Sequence, residues 1–212
     1  MKHRTTQILY AYWNEVRAGR IAPRRLEIEP ARIAGILPDT FMLEHHDAAT
    51  YQYRLAGSRV CELFGRELRG TNFLEGWSVA DRLALARRLS TMREQGGVVL
   101  LEIAAANDAG HRIELEVLLL PLVHVGTQVG GRILGAISTT GPVLWLGSAR
   151  LDSKRLQREE VIWPDGRPHS LLERSGRQAP FLPAAMDGRL VRDQRRNFRV
   201  LQGGRSLREP RE

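Results

Sequence analysis

The sequence predicts an α+β fold: a five-stranded antiparallel sheet with helices covering one face, an N-terminal amphipathic helix and an irregular basic C-terminal tail. Three observations carry this. Apolar residues recur at helical spacing near the N-terminus and in two internal stretches, whereas five other segments alternate or run apolar over strand length between turn residues. After about residue 147 both patterns give way to charge, proline and glycine. The organisation expected is a helical flank over 1–38, a core over 39–146 and a largely irregular basic tail over 147–212.

Ile8, Leu9, Tyr12, Trp13 and Val16 fall on one side of a helix that ends near Gly19. Pro23 cannot extend it, and Pro30 opens a short helix through Ile33 and Ile36 that Pro38 stops. Phe41–His46 and Tyr51–Gly57 read as a hairpin around Asp47–Thr50. Val60, Leu63 and Phe64 share a face of the next helix, with Ser58 as its expected cap and Gly65 as its stop. A longer helix starts at Ser78 or Asp81. Its expected buried stripe is Val79, Leu83, Ala86 and Leu89, with Arg82, Arg87, Arg88 and Arg93 in solvent. Residues 98–106, 112–123 and 131–139 then read as a three-strand meander turning at 107–110 and 126–131. In the tail, only Val161–Trp163 and Asn197–Leu201 look like small ordered elements.

The formal net charge is +8, and residues 150–212 hold 15 Lys or Arg against 9 Asp or Glu, so most of the excess sits in the tail. Such a tail suits nucleic acid, an anionic surface or an acidic partner. No run of about 18 apolar residues occurs, and the start, with Lys2, His3 and Arg4 before an amphipathic stretch, lacks an apolar signal core. A cytoplasmic location is expected. One cysteine, Cys61, excludes an internal disulfide framework and leaves no cysteine pair for zinc.

Two motifs add a resemblance. Tyr12, Trp13, Arg17, Gly19, Arg20, Pro23, Arg25 and Pro30, through Leu37-Pro38, form the first. The second runs from Tyr53-Arg-Leu-Ala-Gly-Ser-Arg-Val-Cys-Glu-Leu-Phe-Gly-Arg-Glu-Leu-Arg-Gly to Asn72-Phe73. Together with the element order, over residues 5–145, they resemble the short alphaproteobacterial PAS-domain family of stand-alone regulators. The resemblance implies a sheet and short helices that enclose a ligand pocket or present a dimer surface, and a role in signalling.

The same likeness frames the candidate residues. A ligand site would draw on Tyr53, Arg54, Arg59, Phe73 and Trp77, the guanidinium groups suiting carboxylates or phosphates. Tyr12, Trp13 and Val16 are candidates for dimer packing. The plainer reading leaves Arg54 on the solvent side of its strand, Arg66 and Arg69 at a helix end, and Phe73 and Trp77 as core aromatics. A haem-binding PAS domain needs a histidine on a pocket-facing helix, and none follows His3 in the domain helices; His45 and His46 are strand neighbours on opposite faces and cannot chelate one ion. Flavin photochemistry needs a cysteine in an Asn-Cys-Arg-Phe-Leu-Gln setting, whereas Cys61 lies in Val-Cys-Glu-Leu-Phe and reads as a small core residue.

Glu102, Glu114 and Glu116 read as a solvated sheet surface rather than a catalytic pair. No nucleophile stands near a base at a telling spacing, and no phosphate-binding glycine motif occurs. Arg192 and Arg196 are spaced like the opening of a PilZ domain, but too few residues follow for that barrel. The expected function is a non-enzymatic PAS-type regulator that senses a small molecule, contacts a signalling protein partner, or both, with a homodimer as its expected assembly. The alternative is an interaction protein whose basic tail binds nucleic acid or anionic surfaces while the PAS fold serves as scaffold.

Overall fold

Strand pairing runs β2-β1-β5-β4-β3-β6, antiparallel throughout, in a computed structural model that describes residues 1–123, 129–139, 151 and 153–168. All of these fall within one unit, Met1–Gln178. The strands are β1 (Thr40–Asp47), β2 (Thr50–Ala56), β3 (Val98–Ala106), β4 (Arg112–Val123), β5 (Val129–Thr139) and β6 (Ser153–Ile162). Helix α1 spans Arg4–Arg17, α2 Ser58–Phe64 and α3 Val79–Gln95, with 3-10 turns at Arg25–Glu27 and Pro30–Asp39.

The hairpin, the meander and the three helices stand where the sequence put them. The sheet nevertheless has six strands, not five. Strand β6 pairs with β3 from Val98↔Ile162 to Ala106↔Ser153, so part of the expected irregular tail completes the sheet. Half of its ten residues are charged and none is fully buried, so only its end, Val161–Trp163, showed in the sequence; its backbone ladder with β3 holds it. The expected element at Asn197–Leu201 lies outside the described residues.

Helices also cover both faces rather than one. Because side chains alternate along a strand, Leu115, Val117 and Leu119 of β4 meet α2 and α3, while Leu118, Leu120 and Leu122 meet α1 and the 3-10 segment. We call these the inner and outer faces. On the outer face Leu9, Tyr12 and Trp13 of α1 are buried, and the Trp13 indole donates to the Pro121 carbonyl at 2.9 Å. Ile8 is exposed and Val16 half-buried.

Helix α3 is rotated from expectation. It buries Leu85, Leu89 and Met92, whereas Val79 and Leu83 are 65% and 54% exposed. Ser78 caps it by accepting the Asp81 amide at 3.1 Å. Gly57, not Ser58, occupies the cap of α2, and Gly65 ends that helix in the left-handed region at φ 58°. A methyl on Gly57 would stand 2.3 Å from the Pro38 carbonyl oxygen, so only glycine lets α2 start against the 3-10 segment.

Glu116 departs from the solvated surface expected of it. It is 2% exposed on the outer face, where its carboxylate accepts the Lys2 amide at 2.8 Å, the His3 amide at 3.2 Å and the Thr6 hydroxyl. It therefore holds the first turn of α1, where a negative charge also suits the helix dipole. The far end of α1 is fixed by Arg17, 4% exposed, whose guanidinium takes both Asp165 oxygens at 2.8 and 3.0 Å. Asp165 lies just beyond β6, so this strand, of which the sequence showed only the end at Val161–Trp163, is also tied to the N-terminal helix.

Candidate functional site

The inner face contains three of the five candidate ligand residues. Tyr53, Phe73 and Trp77 are 6%, 4% and 8% exposed and join Phe41 in a chain of ring contacts 5.5 to 6.4 Å between centroids. Asn72 positions this chain. Its side-chain oxygen accepts the Tyr51 and Leu74 amides at 3.0 and 3.1 Å, its amide donates to the Ala49 carbonyl at 2.8 Å, and the Phe73 amide bonds Tyr51 at 2.8 Å. The Asn72-Phe73 pair thus staples the loop after α2 along the free edge of β2. Trp77 closes the chain by donating to the Phe73 carbonyl at 2.9 Å. Burial pushes the Tyr53 phenol far above its ordinary value, which keeps it neutral.

At the margin of these rings Lys154 of β6 lies 4.8 Å from the Trp77 ring centroid and donates to the Glu75 carbonyl at 2.8 Å. Burial, helped by nearby Arg66, lowers its ammonium to about 8. Lys154 went unremarked in the sequence because its strand did. Cys61 is half-buried beside Glu67 rather than in the core, and burial raises its thiol.

The two arginine candidates lie elsewhere. Arg59 pairs with Asp39 at 2.7 Å, and burial outweighs this pairing to raise the Asp39 carboxyl. Arg54 is exposed on β2 beside a bulge. Met42 faces Leu55 while Leu43 faces Tyr53, so Arg54 is the extra residue, and both Arg54 and Leu55 reach the outer side.

There the structure opens a groove. A cavity of about 200 Å³ lies between the Pro30–Asp39 segment and strands β1, β2 and β5, lined by Ile28, Ile33, Leu37, Met42 and Leu134 among others. A second, of about 220 Å³, shares Arg25, Met42 and Leu55 with it and adds Arg54, Arg69 and Arg132. The segment forming the wall is tied to α1: the Tyr12 hydroxyl accepts the Glu29 amide at 2.6 Å, and Arg32 pairs with Glu15 at 2.9 Å. Glu44 bridges Arg132 at 2.6 Å and Arg54 at 3.3 Å. Arg25 and Arg69 have no carboxylate partner among the described residues.

A family model described as PAS domain matches residues 1–138. The chain belongs to the PAS-domain family. Membership makes it a module of signalling, sensory or interacting, in a family that is generally non-catalytic. No curated protein matches this PAS chain. Among the described residues of the PAS domain no helix is long and apolar enough to cross a membrane, and no three His, Cys, Asp or Glu cluster as metal ligands.

The dimer candidates Tyr12 and Trp13 are 6% and 0% exposed against the chain's own sheet. Of the tail's charges, Glu159 pairs with Arg88 at 2.8 Å and Glu160 with Arg158 at 3.4 Å. The Arg192–Arg199 stretch lies outside the described residues.

Proposed function

We propose that this PAS domain is a non-enzymatic regulator that receives a small molecule in the groove on the outer face of its sheet and passes the message to a protein partner. The groove carries the reading. It joins an apolar cavity to a cluster of arginines beneath a segment pinned to α1, so an occupant touches the sheet and the N-terminal elements together. An occupant that binds one position of that segment better than another shifts the surface α1 offers, which is what a regulator requires. The motif likeness to short alphaproteobacterial PAS regulators supports the same view.

Native mass spectrometry of full-length protein, incubated with a small-molecule extract and desalted, tests this against the denatured mass. A small added mass lost on denaturation is expected; a bare chain overturns the small-molecule part. The same spectrum counts subunits and so tests the homodimer. Trp13, fully buried against its own sheet, reaches a second chain only if α1 leaves that sheet.

A further inference from the structure

We propose that the outer groove is a binding site for a small amphipathic anion of the fatty-acid type, with an apolar body under the Pro30–Asp39 segment and a carboxylate among the arginines. This rests on the reading that the outer groove receives the small molecule, and adds the chemical class.

The two ends of the groove differ in chemistry. Ile28, Ile33, Leu37, Met42 and Leu134 offer an occupant only hydrocarbon, so an apolar body gains by leaving water there. At the other end Arg25, Arg54, Arg69 and Arg132 come from four separate places in the chain, namely the first 3-10 turn, the β2 bulge, the loop after α2 and β5. Among the described residues one carboxylate, Glu44, pairs with two of this group and fixes their positions, which leaves four arginines against one acid. Arg25 is half-buried and Arg69 exposed, and neither has a carboxylate partner among the described residues. Such a guanidinium, at the mouth of an apolar cavity, matches a carboxylate fork and repels cationic occupants.

The architecture supplies the pairing of ends. Arg54 points outward by alternation after Tyr53, and the bulge keeps Leu55, 53% exposed, on the same side, where it borders both cavities, so the apolar and cationic portions meet at adjacent residues. A ligand with only one of the two features leaves either the hydrocarbon wall or the arginines unused.

Methionine methyl resonances distinguish the faces, because Met42 borders both cavities and Met92 is fully buried among the inner-face residues. Full-length protein carrying carbon-13 methionine methyls is titrated with octanoate, and separately with octanol and acetate. A saturable shift of Met42 with Met92 still is expected, weakened about tenfold or more for octanol and acetate. The double variant Arg25→Gln, Arg69→Gln is expected to lose about tenfold in octanoate affinity, with an unchanged Met92 resonance reporting an intact fold. A shift at Met92 alone puts the ligand on the inner face and overturns the inference. So does equal binding of octanol, or full affinity in the double variant. No octanoate binding, in a protein that retains some other small molecule in the mass spectrum, removes the inference while leaving the sensing role.

Discussion

The two faces of the sheet are held by different kinds of contact. The inner face is specified by volume: Phe41, Tyr53, Phe73 and Trp77 interlock with the aliphatic residues of α2, α3 and four strands. The outer face depends on directed polar contacts at the two ends of α1, Glu116 at its start and Arg17 with Asp165 at its finish, and on Trp13 between them. On the inner face the rings are in contact with one another from Phe41 to Trp77. On the outer face the 3-10 segment buries Ile33 and Ile36 against the sheet, and the groove lies between the two. The contrast teaches that, in this PAS domain, the groove described above lies on the face whose helix is tied at both ends by polar contacts.

The largest effect tests the staple. Arg17 is buried and bidentate to Asp165, also donates to Asn14 at 2.7 Å and to the Arg20 carbonyl at 2.9 Å, and lies over the Trp13 ring. Asp165→Ala leaves a buried guanidinium without its counter-charge, a loss of about 3–5 kcal/mol. Thermal unfolding of the full-length variant is expected to show a large drop in Tm. A change within error would mean that the outer face is held by apolar burial after all, and the contrast would collapse.

A smaller effect tests the packed face. Gly135 of β5 lies opposite Phe41 of β1, and a methyl there would stand 2.2 Å from the Phe41 ring. The ring cannot swing away, because Phe73 stacks on it and Tyr53 packs against it at a tilt. Gly135→Ala is expected to cost about 1–3 kcal/mol by overpacking. Urea unfolding measures it. Near-neutral stability would show slack among the inner rings and reopen that face as a ligand site.

Much of this was legible beforehand, in particular residues. Five strands and three helices follow from period and punctuation, while the start of α3 stayed open between Ser78 and Asp81. The Asn72-Phe73 motif marked a real junction. The two-sided coverage was also written in the sequence: Val117-Leu-Leu-Leu-Pro-Leu has no polar face, and a strand buried on both sides needs a layer on each. That signal was available and went unused. Helix α3 offers two apolar stripes, and only packing chooses Leu85, Leu89 and Met92 over Val79 and Leu83. Strand β6 gave an apolar signal only at its end, Val161–Trp163, since its backbone ladder with β3 supplies what its charged residues lack. The groove was least legible, because Arg25, Arg54, Arg69 and Arg132 converge across more than a hundred residues of chain and Leu55, which joins its two parts, depends on a bulge.

The smallest effect separates the faces by their response to pH. Burial alone would raise the Glu116 carboxyl, but the Thr6 hydroxyl and the Lys2 and His3 amides outweigh it and hold it below its ordinary value. A carboxyl depressed in the folded state contributes stability that is fully present above its unfolded value and is lost as pH falls through its folded value. Glu116→Gln keeps the shape and one acceptor oxygen but removes the charge, so it should cost about 1 kcal/mol at neutral pH. Protonated glutamate resembles glutamine, so the gap between wild type and variant should narrow as pH falls below the ordinary carboxylate range. The inner-face Gly135→Ala defect involves no titrating group and should keep its size over the same range. Urea midpoints for both variants between about pH 7 and pH 3 measure this. If the two differences vary with pH in parallel, the start of α1 is not held by a charge, and the outer face loses the feature that sets it apart from the inner one.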